Sequence, residues 1–348
     1  MCDVQDYIGN ALSRFNQEIF AFLRIPSISA KSEHDEDTRR TADWLSQSLT
    51  EAGLQSEIFE TPGHPVVIGE WRDADADAPT VLVYGHYDVQ PPEPLELWTS
   101  PPFEPEFRDG RLYARGSADD KGQLYLHVKA AEAHLKGAGA LPVNLIILAE
   151  GEEEVGSPNL VPFIKAHRER LACDAVVISD TGMFAPGLPS LLFSLRGLAY
   201  FEIHVQGPSS DLHSGAYGGP IVNPAMALAY ILATFHDHQG RIAIDGFYDD
   251  VRAWDDETLE GIRQLPFDEN EFAEALNTTL GGGEFGYSVL EKLWVRPTCE
   301  VNGLLSGYTG EGAKTVLPGK AMAKISFRLV TNQTPQKIGE LLQRHVAK

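Results

Sequence analysis

Acidic and imidazole side chains stand directly after several apolar segments of this 348-residue sequence. His86 ends the run TVLVYGH, a glutamate run begins at Glu150 after VNLIILA, and Asp180 follows AVVIS. If these segments are strands of one α/β sheet, the side chains meet at the carboxyl ends of the strands, where such sheets place their sites. One charged residue at a strand end is explained as a solvated loop start, but a buried group of carboxylates is costly unless a cation neutralises it. The spacing therefore predicts a metal centre.

The types of these side chains narrow the choice of metal. One imidazole with several carboxylates and no thiolate suits Zn, Mn or Co in a hydrolytic site and excludes a structural zinc site of the cysteine type. Two ions about 3.5 to 4 Å apart share a bridging carboxylate, and Asp119 in the turn GSADDKG is the natural bridge. Asp88 is placed either to accept the second imidazole N–H of His86 or to serve as a turn or capping residue. Asp120 is interpreted as a helix cap.

The glutamate run after the second strand has two roles to fill. One carboxylate is expected to bind metal, and another to stay free as the general base for a metal-bound water. Residue types alone do not choose among the four candidates, Glu150, Glu152, Glu153 and Glu154.

Two helices and a sheet are predicted to position these residues. Helical spacing predicts that the first helix buries one apolar stripe and ends near Pro26; the stripe is formed by Ile8, Leu12, Phe15, Ile19 and Phe22. The second helix repeats the pattern from Ala42 to Ala52, and Gly53 is its C-cap. Two short strands are predicted at 54–59 and 66–71, and three buried strands at 80–84, 143–149 and 175–178. Helices after Gly122 and over 160–170 alternate with them, which indicates an α/β fold whose mostly parallel sheet has helices on both faces.

The pattern of elements changes near Pro186 to Pro189. Beyond it, strands are predicted over 191–194, 200–205, 298–304 and 321–329, and helices over 223–235 and 335–346, with an acidic helical middle. Strands and helices that are segregated in this way favour an α+β domain. We therefore predict a metal-binding domain over residues 1–187 and a second domain over residues 188–348.

Composition excludes several classes of function. The formal net charge is -22, with 28 Lys and Arg against 50 Asp and Glu and no basic cluster, so nucleic acid and anionic membranes are not predicted partners. Cys2, Cys173 and Cys299 form no CxxC motif, which is typical of a reducing compartment. No signal peptide or apolar run of membrane-spanning length is recognised, so the cytoplasm is the predicted location.

Five motifs together resemble the M20 family of di-metal peptidases, in particular its dipeptidase, carnosinase-like branch: GHYDVQPP, RGSADDKG, AEGEEEVGS, ISD and DLHSGAYGG. The likeness covers essentially the whole chain. It implies a zinc-peptidase-like catalytic domain and a ferredoxin-like lid domain through which two subunits form a homodimer. It also implies two divalent metal ions, with zinc the first choice, and small peptides as substrates.

Matched residue by residue, the resemblance implies a ligand set. His86 and Asp180 hold one metal, Asp119 bridges, and Glu154 holds the second metal. Glu153 is then the general base, and the bond from Asp119 to the next residue is a cis peptide. The same match makes Asp88 the hydrogen-bond partner of the His86 imidazole.

The lid domain contributes three further residues under the same resemblance. His213 matches a histidine that reaches the active site of the partner subunit and stabilises the oxyanion; without the resemblance it is a surface loop residue. Thr315 and Arg328 match binders of the substrate carboxylate, which an arginine can grip bidentately. The alternative for Arg328 is an outward residue on an amphipathic strand. His127 and His134 are interpreted as surface or packing residues.

A further histidine ligand of the family is expected from a glycine-rich loop near the end of a longer catalytic domain. This sequence stops at Lys348. We therefore expect the C-terminal part of the catalytic domain to come from a longer chain or from another chain, and residues 1–348 alone to bind the second metal weakly and to show little turnover.

The predicted function is hydrolysis of the peptide bond of dipeptides or other small peptides. A second hypothesis keeps the same site but removes an acyl or carbamoyl group from an amino acid. A third is a non-catalytic binding or dimerisation module, against which the intact Glu153 and His213 argue.

Overall fold

The computed structural model describes residues 3–185, 187–192 and 194–348. The chain divides into two compact units, Met1–Leu191 and Leu192–Lys348. Two residues named above, Cys2 and Pro186, lie outside the described residues. None of the helices in the described ranges combines the length and the apolar character that crossing a bilayer requires.

The first unit is built on a five-stranded sheet. The strands of the whole unit are β1 (Gln55–Phe59), β2 (Val66–Trp71), β3 (Thr80–His86), β4 (Glu106–Arg108), β5 (Arg111–Tyr113), β6 (Asn144–Glu150) and β7 (Ala175–Ile178). Its helices are α1 (Val4–Leu23), α2 (Asp35–Ala52), α3 (Lys121–Ala133) and α4 (Leu160–Ala166). The sheet order is β1-β2-β6-β3-β7, and β4 and β5 form a separate hairpin. Only β2 runs against its sheet neighbours, so four of the five strands share one direction. The predicted α/β class with a mostly parallel sheet is confirmed.

The register of the parallel strands brings their carboxyl ends together. His86 at the end of β3 lies opposite Glu150 at the end of β6. On the other side of β3, Tyr84 lies opposite Ile178, the last residue of β7. Asp180 follows two residues later, so one edge of the sheet holds all three predicted strand ends.

Helices cover both faces of this sheet. A large cluster of buried residues joins α1, α2 and α3 to one face, and a smaller one places Phe163 of α4 and Leu171 on the other face. The predicted second helix ends at Ala52, and Gly53 caps it with φ 109°, a left-handed conformation that glycine adopts without strain.

The buried stripe of α1 differs from its prediction in the first turns. Leu12 is 54% exposed, whereas Tyr7 and Ala11 pack against the core together with the buried Phe15. Since each residue turns a helix by about 100°, a row that starts one residue earlier faces a different direction. The first turns therefore dock through the row of Tyr7 and Ala11, and only Phe15, Ile19 and Phe22 of the predicted stripe are buried.

Phe22 gives a test of this packing. Its side chain is fully buried and its ring stacks on Trp44 with centroids 4.4 Å apart. We expect Phe22→Ala to lower the free energy of unfolding by about 3 to 5 kcal/mol, because a large buried ring leaves a cavity. The matched control on the same helix is Leu12→Ala, for which about 0.5 kcal/mol or less is expected. Urea denaturation of both variants measures the difference, and similar losses for the two would contradict this description of α1.

Strand β7 was predicted to be buried, and this prediction is wrong. All four of its residues are exposed, with Val176 at 57% and Ile178 at 58%. The reason is its position: β7 is an edge strand that pairs only with β3 among the described strands. An apolar run of four residues predicts a strand, but it does not tell a central strand from an edge strand.

The second unit is an α+β arrangement, as predicted. Its strands are β8 (Gly197–Gln206), β9 (Leu212–His213), β10 (Thr298–Ser306), β11 (Val316–Leu317) and β12 (Lys320–Leu329), and its helices are α5 (Ser214–Tyr217), α6 (Pro224–Ala233), α7 (Asp256–Arg263), α8 (Glu269–Ala275), α9 (Val289–Trp294) and α10 (Pro335–Val346). The sheet order is β10-β12-β8, all antiparallel, and β9 pairs with β11.

Alternation along β12 separates the two faces of the second sheet. Ala323, Ile325 and Phe327 point into a core shared with α6 and α10, while Lys324 and Arg328 are exposed on the opposite face. The strand predicted over 191–194 is not formed by Leu191, Leu192 or Ser194, and Phe193 lies outside the described residues. Alternation of apolar and polar residues is not enough to form a strand at this position, because no neighbouring described strand supplies the backbone hydrogen bonds that a strand needs.

Candidate metal centre

The imidazole of His86 lies at the centre of the carboxylate group. It is fully buried, and its Nδ1 lies 3.1 Å from the backbone oxygen and 3.3 Å from Oδ1 of Asp88. Both are acceptors, so Nδ1 carries a proton and donates it. On the other side of the ring, Nε2 lies 3.0 Å from Asp119 Oδ1 and 3.7 Å from Asp180 Oδ2. A lone pair on Nε2 facing two carboxylates requires a cation or a proton between them.

Asp88 joins the imidazole to the glutamate run. Its carboxylate is fully buried; Oδ2 accepts hydrogen bonds from Ser29 Oγ at 2.6 Å and from the Glu154 N–H at 3.1 Å, and Oδ1 accepts one from the Glu153 N–H at 3.3 Å. The two interpretations of Asp88 are therefore not exclusive, because one carboxylate both holds the His86 ring and caps the short helical turn Glu153–Val155.

Two of the four glutamates in the run are committed to other contacts. Glu150 accepts hydrogen bonds from Tyr84 Oη at 2.5 Å and from Ser157 Oγ at 2.8 Å. Glu152 accepts one from Asn159 Nδ2 at 2.8 Å. Both glutamates are buried, so their carboxylates support the turn from inside.

The other two glutamates face the imidazole. One ligand atom each from His86, Glu153 and Glu154 lies within 4.8 Å of the others. Glu154 Oε2 also accepts a hydrogen bond from Gln90 Nε2 at 2.6 Å. The Glu153 carboxylate accepts no hydrogen bond from the residues that the structure describes. The contacts thus leave Glu153 as the glutamate with a free carboxylate, a distinction that residue types could not make.

A second group of three potential ligands shares the same imidazole. Ligand atoms of His86, Asp119 and Asp180 lie within 4.8 Å of one another. Asp119 is thus grouped with Asp180, and Glu154 with the neighbouring glutamate. The described residues do not bring Asp119 and Glu154 into one group, although the sequence assigned Asp119 to bridge two ions.

Asp120 does not act as the predicted helix cap. It occupies the N-cap position of α3 but makes no capping hydrogen bond. Its Oδ2 instead accepts the backbone N–H of His86 at 3.1 Å, since a buried N–H at a strand end needs an acceptor. Burial raises the pKa of Asp120 to about 7. The bond from Asp119 to Asp120 is cis, as the family resemblance implied.

The charges around the imidazole fit a divalent cation. Burial alone lowers the pKa of His86, but its hydrogen-bonded carboxylate partner and further acidic neighbours outweigh burial and raise this pKa to about 10. Burial raises the pKa of Glu153, Glu154 and Asp180 above the ordinary values. Among the described residues, none of these carboxylates pairs with a lysine or arginine. One imidazole nitrogen and several carboxylate oxygens are a suitable ligand set for zinc, manganese or cobalt.

Lys121, at the start of α3, was missed by the sequence analysis. Its side chain is fully buried, and its Nζ donates hydrogen bonds to the backbone oxygens of Phe22 at 3.1 Å and Ile25 at 2.7 Å. Burial lowers the pKa of this amine to about 7. The available signal was its position, four residues before the buried Tyr125 on the apolar stripe of α3. Lys121 ties the residues that follow Asp119 to the end of α1.

Ser29 and Gln90 were also missed, for a different reason. Each donates a hydrogen bond to an acidic residue of the site from a distant part of the sequence, 59 and 64 positions away. Neither residue belongs to a helical or strand periodicity that a sequence pattern could detect. Another contact not predicted joins His127 Nε2 to Ser179 Oγ at 2.6 Å, so His127 packs beside the residue that precedes Asp180.

The second unit holds the remaining predicted residues. His213 and Thr315 are close together: the Gly215 N–H donates to His213 Nδ1 at 3.1 Å, and Nε2 lies 3.1 Å from Thr315 Oγ1. Because Nδ1 is an acceptor here, Nε2 carries the ring proton and donates it. Arg328 is exposed on β12.

Several known proteins are similar to this chain. A family profile described as "Peptidase family M20/M25/M40" matches residues 82–308. The Cys-Gly metallodipeptidase dug1 of Schizosaccharomyces pombe is 34% identical over 359 residues, covering 99% of this chain and 75% of that protein.

Two solved structures extend the likeness to the fold. An M20 family metallo-carboxypeptidase, Sso-CP2 from Sulfolobus solfataricus, is 38% identical with a TM-score of 0.82, covering 96% of this chain and 75% of that chain. Human carnosine dipeptidase 1 is 27% identical with a TM-score of 0.83, covering 99% of this chain and 75% of that chain. This chain therefore spans three quarters of the length of these relatives.

Proposed function

This chain belongs to peptidase family M20/M25/M40, and on that premise we propose that it hydrolyses the peptide bond of dipeptides and other small peptides with a metal-activated water. The observation that carries the proposal is the juxtaposition of His86 with two groups of carboxylates at the carboxyl edge of the first sheet. A free glutamate beside those groups supplies the base that hydrolysis needs.

The proposed ligands are the members of the two groups around the imidazole other than Glu153. His86 and Asp180 would hold one ion, Glu154 would hold the second, and Asp119 is the proposed ligand shared by both. Zinc is the proposed metal, with manganese and cobalt as alternatives. When bound, the divalent ions supply Lewis-acid chemistry, because they make a water acidic and polarise a carbonyl group.

Glu153 is the proposed general base. Its carboxylate lies beside His86 and accepts no hydrogen bond from the described residues, so it is free to take a proton from the attacking water. Burial raises its pKa, which favours the later step in which the same carboxyl hands that proton to the departing amine. Asp88 positions Glu153 by accepting its backbone N–H, and it fixes the His86 tautomer at the same time.

Residues 1–187 are proposed to form the catalytic domain. Residues 188–348 are proposed to form a lid domain. His213 is proposed to donate its Nε2 proton to the oxyanion that forms at the scissile carbonyl in the active site of the partner subunit. In support of this role, His213 Nε2 lies 3.1 Å from an oxygen acceptor, Thr315 Oγ1. Loss of one such donor costs about 10² to 10³ in rate in other enzymes. Arg328 is proposed to bind the substrate carboxylate.

The names of the relatives support small peptides with a free C-terminus. One relative is a Cys-Gly metallodipeptidase and another is a carnosine dipeptidase. A metallo-carboxypeptidase at 38% identity favours a second candidate, removal of one C-terminal residue from longer peptides. Both activities cleave the bond next to a residue that carries a free carboxylate.

A substrate panel tests the proposal. Dipeptides, tripeptides and N-acetyl amino acids are offered to the purified full-length protein with added zinc, manganese or cobalt, and released amino acids are quantified. We expect metal-dependent cleavage of dipeptides, with kcat/KM at least about tenfold above that of the N-acetyl compounds. Tripeptides cleaved as fast as dipeptides would support the carboxypeptidase, and preferred cleavage of N-acetyl amino acids would replace the peptidase proposal by a deacylase.

We also propose that two chains form a homodimer through the second unit. Helix α6 is apolar on its outer face as well as its inner face: Met226 is 51% exposed and Tyr230, one turn later, is 67% exposed. Val222 precedes the helix at 74% exposure and extends the same patch. A helix that is apolar all round is expected to be buried, so this face calls for a second copy.

Negative charge introduced on the exposed face of α6 tests the proposed dimer. We expect the double variant Met226→Asp, Tyr230→Asp to raise the dimer dissociation constant at least about tenfold, because each chain would place two carboxylates in an apolar contact. The matched control is Gln343→Asp on the exposed side of α10, which should leave the constant unchanged. Analytical ultracentrifugation measures both, and a dimer that persists in the double variant would exclude α6 from the contact.

The proposed location is the cytoplasm. Cys173 and Cys299 are free thiols, which supports a reducing compartment.

A further inference from the structure

A cavity of about 550 Å³ lies in the first unit beside the hairpin of β4 and β5. Residues from the segment 92–99 form one wall, and Arg108, Tyr113 and Arg115 contribute to the other. This volume is typical of sites that hold small molecules. The proposed metal ligands and the proposed base are not among the described residues that line the cavity. The cavity is therefore lined by a different set of residues from the metal centre.

Aromatic rings position the two guanidinium groups of this cavity. The Cζ atom of Arg108 lies 4.1 Å from the centroid of the Tyr113 ring, and the Cζ atom of Arg115 lies 5.5 Å from the centroid of the Trp98 ring. The face of an aromatic ring attracts a cation at such distances. Arg115 Nη2 also donates a hydrogen bond to the backbone oxygen of Pro91 at 3.2 Å. Both cations are thus held in place before a ligand arrives.

Most of the N–H donors of these two arginines have no acceptor in the described part of the chain. Arg108 donates to no described residue, and Arg115 donates to the oxygen of Pro91 alone. The Nε atoms of both are buried and lack a hydrogen-bond partner among the same residues. Unsatisfied donors of this kind indicate an acceptor that the protein itself does not supply.

The charges of the cavity favour an anion. Glu93 is paired with Lys31, whose Nζ lies 2.5 Å from its Oε1. Of the described residues in the lining, Asp109 is then the one carboxylate without a basic partner, against two guanidinium groups. Arginine binds phosphate and carboxylate groups through paired N–H donors. Two arginines suffice for one such group, but not for the repeated phosphates of a nucleic acid.

An apolar surface adjoins the two cations. Leu97 lines the cavity and is 78% exposed, and Pro94, which is also exposed, lies beside it in the lining. Covering an exposed leucine with an apolar group is favourable, because it removes apolar surface from water. The lining therefore suits a ligand that has a charged end and an apolar end.

We propose that Arg108 and Arg115 bind the phosphate or carboxylate group of a small organic anion, and that the apolar part of this ligand covers Leu97. The site goes beyond the proposed peptidase function, because it holds a ligand away from the residues that are proposed to perform hydrolysis. No motif of the sequence indicated it.

Model ligands test the site by isothermal titration calorimetry on the purified full-length protein. The probes are phenyl phosphate and benzoate, which carry the two candidate groups on the same ring, and phenol, which is neutral. We expect the wild type to bind at least one of the two anions and to bind phenol at least about tenfold more weakly. The tighter of the two anions identifies the preferred group.

Arg108→Gln is the decisive variant. Arg108 donates no hydrogen bond to the described residues, so its replacement removes none of those contacts. We expect the Kd of the preferred anion to rise at least about tenfold in Arg108→Gln and also in Arg115→Gln, because charge-assisted hydrogen bonds are lost. Circular dichroism confirms that each variant is folded.

Two further variants separate the site from general effects of charge. Arg111 is exposed on the same hairpin and lies opposite Arg108 in the strand register, but it is not part of the lining. Arg111→Gln should therefore leave the Kd within about twofold of the wild type. Leu97→Ala should raise the Kd of phenyl phosphate about three- to tenfold and leave that of inorganic phosphate unchanged, since only the apolar contact is reduced.

Anions can also bind to metal ions, and the same variants distinguish that case. Binding at the proposed metal centre would persist in Arg108→Gln and Arg115→Gln. If both variants keep the affinity of the wild type, or if the wild type binds neither anion or binds phenol equally tightly, the inference is overturned. The measurement does not depend on hydrolysis, so it stands whether or not the proposed function does.

Discussion

Replacing Glu153 by glutamine is expected to lower kcat for dipeptide hydrolysis by about 10² to 10⁴, the usual contribution of a general base. The amide is nearly isosteric with the carboxylate but cannot accept the proton of the attacking water. Since Glu153 has a free carboxylate whereas Glu154 is held by Gln90, metal content should stay at the wild-type level. Steady-state kinetics together with metal analysis of the same preparation measure both quantities.

Two comparisons make this experiment specific. Glu169→Gln, an exposed glutamate of the same unit, removes one negative charge away from the site and should leave kcat unchanged. If Glu153→Gln loses metal in parallel with activity, Glu153 is a ligand and the base must be another residue. If it keeps both metal and full turnover, the proposed base is wrong.

Replacing Asp119 by asparagine is expected to lower metal affinity by more than the ~10- to 100-fold that loss of an outer hydrogen-bond partner costs. The reason is that Asp119 lies 3.0 Å from Nε2 of His86 and is the proposed bridge between both ions. Activity should fall with metal content. Competition with a fluorescent chelator measures the affinity.

Asp88→Asn is compared with Asp119→Asn because a smaller loss of metal affinity is expected for it. Asp88 contacts the ring of His86 and is not a proposed metal ligand, so we expect about 10- to 100-fold weaker metal binding in this variant. Equal affinity in wild type and Asp119→Asn would remove Asp119 from the ligand set, and a larger loss in Asp88→Asn than in Asp119→Asn would reverse the roles of the two residues.

Sequence patterns predicted the parts of the site that follow from strand direction. A strand that ends in His86, a second that ends at Glu150 and a third that is followed by Asp180 converge because parallel strands place their carboxyl ends at one edge. The same logic predicted the α/β class, since buried apolar runs alternated with helices. These features depend on local residue order, which a single sequence contains.

Other features depended on contacts that no local pattern contains. Among four adjacent glutamates, tertiary hydrogen bonds from Tyr84 and Asn159 engage two and leave two at the site. Asp120 was predicted to be a helix cap because it precedes a helix. Its carboxylate instead accepts the backbone N–H of His86, a buried donor that needs an acceptor. The exposure of β7 followed from its place at the sheet edge, which depends on which other strands are present.

The buried amine of Lys121 links the end of the first helix to the turn that carries Asp119, a proposed metal ligand. Helix α1 supplies no ligand, but the backbone oxygens at and just beyond its end receive both hydrogen bonds of that amine, two residues after Asp119. Disruption of the end of α1 is therefore expected to weaken metal binding at the proposed centre, although α1 is far from it in sequence.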